Sequence, residues 1–215
     1  MTKLKVLELF AGTRSIGKAF EEAGHEVYSV EWDRQHANID LYADISTVTA
    51  QQILEEFGKP DVIWASPDCT TYSIAAISTH RHREDDGHLA PKSDKAKHSD
   101  EVNRHVLALI KELNPKYYFI ENPRGGMRKM RWMQDIPIYT VTYCQYGDNR
   151  MKPTDIWTNH PNPKFKPMCK NGQPCHVAAP RGSKTGTQGL KGSVLRSKIP
   201  HELCQHIVTI SEDLL

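Results

Sequence analysis

Asp61-Val-Ile-Trp-Ala-Ser-Pro-Asp-Cys69-Thr-Thr-Tyr-Ser73 is the stretch on which the fold turns. Val62 to Ala65 is a continuous apolar run of strand length, the pattern of a strand buried on both faces. It breaks at Ser66-Pro67-Asp68, because proline fixes φ and removes a ladder donor. Cys69 follows at once. In an open α/β sheet the carboxyl end of a central strand is where ligands and chemistry gather. A free cysteine is also a common small core residue, so this stretch alone leaves Cys69 as either packing or a nucleophile.

Upstream, Leu4 to Phe10 reads as a strand that ends in Ala11-Gly12-Thr13, and Ile16 to Ala23 as a helix closed by Gly24. Glu26 to Val30 is a second strand ending in Glu31-Trp32. Leu41 to Ile45 is a third, and Val48 to Phe57 a second helix ended by Gly58-Lys59-Pro60. This βαβαβ order predicts an α/β fold with a parallel, doubly wound, Rossmann-like sheet. Downstream, residues 78 to 100 are almost wholly polar and charged, which predicts a mobile, solvated loop. Val102 to Leu113 is helical, and Tyr117 to Ile120 is a strand ending in Glu121-Asn122-Pro123. Ile136 to Tyr143 and Thr154 to Thr158 read as paired strands, and Leu203 to Leu214 as a helix.

The 215 residues carry a net charge of only +2, which by itself says nothing about nucleic acid. Five cysteines, an odd number in a mid-sized chain, do not form a disulfide framework and point to a reducing cytoplasm. No signal peptide and no membrane-length apolar run are expected. Asn159 to Leu195 differs in character: it holds Lys164, Lys166, Lys170, Arg181, Lys184 and Lys191 with no acidic residue. The expected organisation is a catalytic and cofactor-binding domain at 1–158 plus 196–215, with a short, irregular basic segment at 159–195 suited to phosphate contact.

The strand ends carry the chemistry. Gly12 lets a ligand approach the backbone before a helix, Glu31 can accept from a ribose, Trp32 offers a face for adenine, and Asp44 can accept from an exocyclic amine. Three such residues in order at successive strand ends point to nucleoside binding.

Taken with the rest, these residues resemble the cytosine-5 DNA methyltransferases. Glu8-Leu-Phe-Ala-Gly12 is similar to that family's cofactor loop, Ser66-Pro-Asp-Cys-Thr-Thr-Tyr-Ser73 to its Pro-Pro-Cys motif, and Glu121-Asn122-Pro123 to its Glu-Asn-Val motif. Tyr146-Gly-Asp-Asn-Arg150-Met-Lys152 is similar to its Gln-x-Arg-x-Arg motif, and Arg196-Ser-Lys-Ile-Pro200 to its last motif. The resemblance implies S-adenosylmethionine as cofactor, lined by Phe10, Ala11, Gly12, Thr13, Glu31, Trp32, Asp44, Ile45, Pro67 and Ser197. It implies that Cys69 adds to C6 of a flipped cytosine, with its pKa lowered by nearby positive charge, and that Glu121 holds N3 through a carboxyl of raised pKa. Arg150 and Lys152 would bond the base carbonyl and adjacent phosphate, and the loop at 78–100 would close over the base. DNA, double-stranded and with a recognition site of two to four bases, is the implied partner of a cytoplasmic monomer in a bacterial or phage-infected cell.

Departures from the family pattern keep alternatives open. Asp68 replaces a proline and sets a negative charge beside the thiol. Lys152 replaces an arginine and loses bidentate geometry. Lys198 follows Ser197 where the family carries Gly-Asn, so a carboxylated relative of S-adenosylmethionine is an alternative cofactor. A transfer-RNA cytosine-5 methyltransferase, a catalytically silent DNA-binding protein and a small-molecule methyltransferase are the other readings. Cys169, Cys175 and His176, with His160 upstream, could supply three zinc ligands, but their spacing is not that of a zinc knuckle. Ordinary thiols and no metal are the expectation there.

Overall fold

The computed structural model describes residues 3–178 and 192–213. The elements run β1 (Lys5–Leu9), α1 (Ser15–Glu22), β2 (Glu26–Glu31), β3 (Leu41–Tyr42), α2 (Ala50–Glu56), β4 (Val62–Ala65), α3 (Ile77–His80), β5 (Arg81–Arg83), β6 (Leu89–Pro91), α4 (Asp94–Leu113), β7 (Tyr117–Pro123), β8 (Ile138–Thr142), β9 (Pro153–Thr158), α5 (Ser193–Ser197) and α6 (His201–Glu212). One sheet of seven strands takes the order β3-β2-β1-β4-β7-β9-β8. Strands β1, β2, β3, β4 and β7 are parallel, and β9 and β8 join antiparallel at one edge.

Alternation along the parallel strands fills two cores. Leu7, Leu9, Ile63 and Ala65 face one side with Ile53 of α2 and Val106, Leu109, Ile110 and Leu113 of α4. Val6, Val62, Trp64 and Phe119 face the other with Ile16, Ala19 and Phe20 of α1 and Leu203, Ile207 and Ile210 of α6. Because side chains alternate at period two and both faces are covered, every strand residue from Val62 to Ala65 is apolar and buried. This is the Rossmann-like α/β sheet the βαβαβ pattern predicts. Among the described residues no helix is long and apolar enough to cross a membrane.

Two expectations are corrected. Residues 78–100 are not a free loop. They form α3, the β5–β6 hairpin and the first turns of α4, whose Ser93 side chain caps it by accepting from the Ala96 amide. Arg81 holds them down: its guanidinium, wholly buried, donates to Asp100 at 2.7 and 3.1 Å, to the Thr71 carbonyl at 2.9 Å and to the Leu89 carbonyl at 3.1 Å. Polarity concealed this, because the charges pair inward as well as outward.

The packing boundary is also later than residue 159. His160 is buried, with a ring nitrogen 3.1 Å from the Ile210 carbonyl, His206 reaches the Pro163 carbonyl at 2.7 Å, and the Cys169 amide donates to the Thr142 hydroxyl at 2.8 Å. Residues 159–169 thus lie on the sheet and α6, although they hold no helix or strand. Arg181, Lys184, Lys191 and Leu214 lie outside the described residues.

Candidate active site

Strands β1, β2, β4 and β7 are parallel, so their carboxyl ends share one edge of the sheet. Beyond β1 the chain winds tightly, with Phe10, Gly12 and Arg14 all at positive φ (57°, 50° and 56°). Glu31, at the end of β2, is buried and holds this turn: its Oε2 accepts from the Gly12 amide at 2.9 Å, and its Oε1 from the Trp32 and Asp33 amides at 2.9 Å each. A carboxylate accepts about four hydrogen bonds, so one position remains for a ligand hydroxyl. The adjacent Trp32 indole is 69% exposed, a large apolar face open to a stacking partner. Asp44 is exposed, and its Oδ1 accepts from the Ser46 amide and hydroxyl at 2.9 and 2.8 Å, which holds its carboxyl below the usual range. The Ile45 side chain lies in the core, so of that pair only Asp44 turns outward. The free acceptor on Glu31 beside an open indole fits an adenosine moiety.

At the end of β4, Pro67 is buried and its carbonyl accepts from Asn122 Nδ2 at 2.9 Å. This ties the cysteine turn to β7. Cys69 is half-buried, at φ −90° and ψ −5°. Asp68 points outward, its Oδ1 accepting from the Thr70 amide and hydroxyl at 3.0 and 2.6 Å and its Oδ2 lying 3.9 Å from Lys95 Nζ. Burial, then the charges of Asp68 and Glu121, push the Cys69 thiol above its ordinary pKa, while Lys152 pulls it down. The depressed thiol expected from the sequence is therefore not what this environment produces. Glu121 on β7 is buried, and that burial raises its carboxyl as expected, against the opposing pull of Lys152. The Tyr143 hydroxyl donates to Glu121 Oε1 at 3.2 Å.

Arg150 and Lys152 are placed differently from one another. Lys152 is half-buried, 4.7 Å from the Tyr143 ring centre, and its Nζ donates to the Arg196 carbonyl at 3.2 Å. Arg150 is buried, its guanidinium 5.7 Å from the same Tyr143 ring centre: it pairs with Asp148 and donates to the carbonyls of Leu195, Arg196 and Lys198 at 3.3 Å each. These bonds staple the β8–β9 turn to the end of α5 through the residue that the family resemblance sets against the base carbonyl. Every N–H of its fork points at one of these oxygens, so none is left over for a base. Ser197, at that end, is exposed and donates to the Val194 carbonyl at 3.0 Å.

A family model for C-5 cytosine-specific DNA methylases matches residues 4–135. The chain belongs to that family. It is 30% identical over 216 residues to a probable DNA (cytosine-5)-methyltransferase of frog virus 3 (isolate Goorha), covering 92% of this chain and 95% of the viral one. Among solved structures it resembles the Entamoeba histolytica methyltransferase EhMeth, with a TM-score of 0.52 at 13% identity over 74% of this chain and 53% of that one. It also matches the S. pombe Dnmt2 methyltransferase, with a TM-score of 0.48 at 15% identity over 73% of this chain. The chain spans about half the length of these two solved relatives, 53% and 49% respectively. Family membership makes the cofactor S-adenosylmethionine, the nucleic acid DNA and the reaction methyl transfer to cytosine C5.

Two residues of this candidate site carry no signal in the sequence. Tyr143, which reaches Glu121, and Lys95, which faces Asp68, are ordinary polar residues until the fold brings them in. Asn122 was visible as part of Glu121-Asn122-Pro123, but its grip on the Pro67 carbonyl required the β4–β7 pairing.

Proposed function

We propose that this chain methylates C5 of a cytosine turned out of duplex DNA, with Cys69 as the nucleophile and Glu121 as the acid at N3. The observation that carries this reading is the parallel pairing of β4 with β7, tied by the Asn122–Pro67 bond, which brings Cys69 and Glu121 to one end of the sheet, where Lys152 lowers the pKa of both. Cytosine C5 is too weakly nucleophilic to take a methyl group unaided. The Cys69 thiolate forms a bond to C6, and the ring electrons move toward C5. Glu121, whose carboxyl burial raises, donates to N3 in its protonated form and offsets the charge that develops there. Lys152 stabilises the thiolate before attack and the electron-rich ring after it. S-adenosylmethionine supplies the methyl group when bound at Glu31 and Trp32. Transfer of the C5 proton to water then expels Cys69 as a thiolate and restores the aromatic ring.

Because the thiol is raised in the free protein, activation falls to the bound state, in which DNA phosphates and base displace water around Lys152. One chain supplies all of these side chains, so the monomer is the acting unit. All five thiols are free, which suits a reducing cytoplasm. Only a short basic segment remains for reading sequence, which suits a recognition site of a few bases.

Sequencing of methylated positions in duplex DNA treated with wild type and with Cys69→Ala tests the reading, alongside covalent trapping on 5-fluorocytosine duplex. Wild type should methylate and trap, and Cys69→Ala should do neither. Methylation that persists in the variant, or transfer to transfer RNA but not duplex DNA, would overturn it. Mass spectrometry of the product base distinguishes methyl from a carboxylated group.

A further inference from the structure

Outside the methylation site, three thiols and an imidazole converge on one point. Cys144 belongs to the turn after β8, Cys169 is buried where the chain crosses Thr142, and Cys175 and His176 follow a short turn in which Gly172 takes φ +83°. Their ligand atoms all lie within 4.8 Å of one another. Cys169 Sγ is 3.2 Å from Cys175 Sγ, and His176 Nδ1 is 3.5 and 3.6 Å from these two sulfurs.

We propose that Cys144, Cys169, Cys175 and His176 bind a structural zinc ion that fastens the basic segment to the catalytic turn. With Zn–S near 2.3 Å and Zn–N near 2.0 Å, a tetrahedral site has S···S edges of about 3.8 Å and S···N edges of about 3.5 Å. The observed S···N distances match those edges; the S···S distance of 3.2 Å is shorter than the tetrahedral edge and far longer than a disulfide bond of about 2.05 Å. Three sulfurs and one nitrogen form a soft donor set that selects zinc over magnesium or calcium, and four protein ligands leave no open position, so the metal is structural.

The local chain needs such a brace. Residues 159–178 contain no helix or strand. Metal-ligand bonds replace the missing core. Cys144 adjoins Tyr143, which holds Glu121, so the ion links the basic segment to the catalytic acid. The metal itself is independent of the reaction; its link to the catalytic acid rests on the DNA-methylating reading.

Protein purified under reducing conditions without chelator should contain one zinc per chain by elemental analysis. Cys144→Ser and Cys175→Ser should lose it, while Cys69→Ser, a thiol outside the cluster, should keep it. Should the ligand variants fail to fold, stripped wild type titrated with Co²⁺ should show the thiolate charge-transfer and intense ligand-field bands of a tetrahedral S₃N site. Wild type without zinc, an octahedral cobalt spectrum, or a Cys169–Cys175 disulfide would each overturn the proposal. Zinc retained in an inactive Cys69→Ser protein separates the failure of one reading from that of the other.

Discussion

Asn122 Nδ2 donates a 2.9 Å hydrogen bond to the carbonyl oxygen of Pro67, two residues before Cys69. Both partners are buried, and the bond crosses from β7 to the turn that carries the thiol. Asn122→Ala strands that carbonyl without a donor, which costs about 1–3 kcal/mol of stability. It also frees the cysteine turn, so methyl transfer should fall by roughly 10- to 100-fold through lost positioning. Cofactor affinity, which the proposed site at Glu31 and Trp32 governs, should hold. Thermal unfolding, single-turnover rates and cofactor titration check the three parts, and an unchanged rate would refute the positioning role.

Asp68 raises the Cys69 thiol, while its Oδ1 holds the Thr70 amide and hydroxyl. Asp68→Asn keeps the Oδ1 acceptor and removes only the charge. A raised thiol means that the thiolate forms at higher pH, so the substitution should move the rate profile toward acid. At neutral pH the rate should rise by about two- to threefold at low salt and less at high salt, because the exposed carboxylate is screened. Initial rates across pH at two ionic strengths provide the measurement.

Lys152 and Arg150 should separate kinetically. Lys152 lowers both the Cys69 and Glu121 pKa values, so Lys152→Met should shift the profile to higher pH and lower the rate constant by roughly 100-fold. Arg150→Ala instead frees the carbonyls of Leu195, Arg196 and Lys198 and leaves Asp148 unpaired. Its main effect should be on cofactor KM and stability, the latter by about 3 kcal/mol for a broken buried pair. Equal losses of kcat in both variants would contradict this division.

Glu8 lies in the core, its Oε1 accepting from the Gly17 amide at 3.0 Å, and burial pushes its carboxyl up to about 7. Below pH 4.5 the group is protonated folded and unfolded alike. Between 4.5 and about 7 only the folded form keeps its proton, so stability falls as pH rises and the loss is complete above about 7. The contribution is on the order of 3 kcal/mol. Glu8→Gln preserves the acceptor for Gly17 and should flatten this part of the stability curve. Denaturant midpoints measured from pH 5 to 8 test it.

The sequence by itself determined the sheet. Continuous apolar runs such as Val62 to Ala65, punctuated by Gly12, Gly24 and Pro60, dictate buried parallel strands because both faces must be covered by helices. The same runs fix where each strand stops, and therefore which residues, Gly12, Glu31, Cys69 and Glu121, stand at the chemical edge. Only the tertiary structure decided what those residues experience. It buried Arg81 against Asp100 and so turned a polar stretch into a folded hairpin and helix. It also spent Arg150 on three backbone carbonyls, and it set the direction of the Cys69 pKa. Cys144, 25 residues before Cys169, joined the metal cluster only when the turn after β8 met the irregular segment. Local pattern encodes periodicity and breaks, whereas desolvation, charge pairing and ligand convergence depend on distances between segments far apart in the chain.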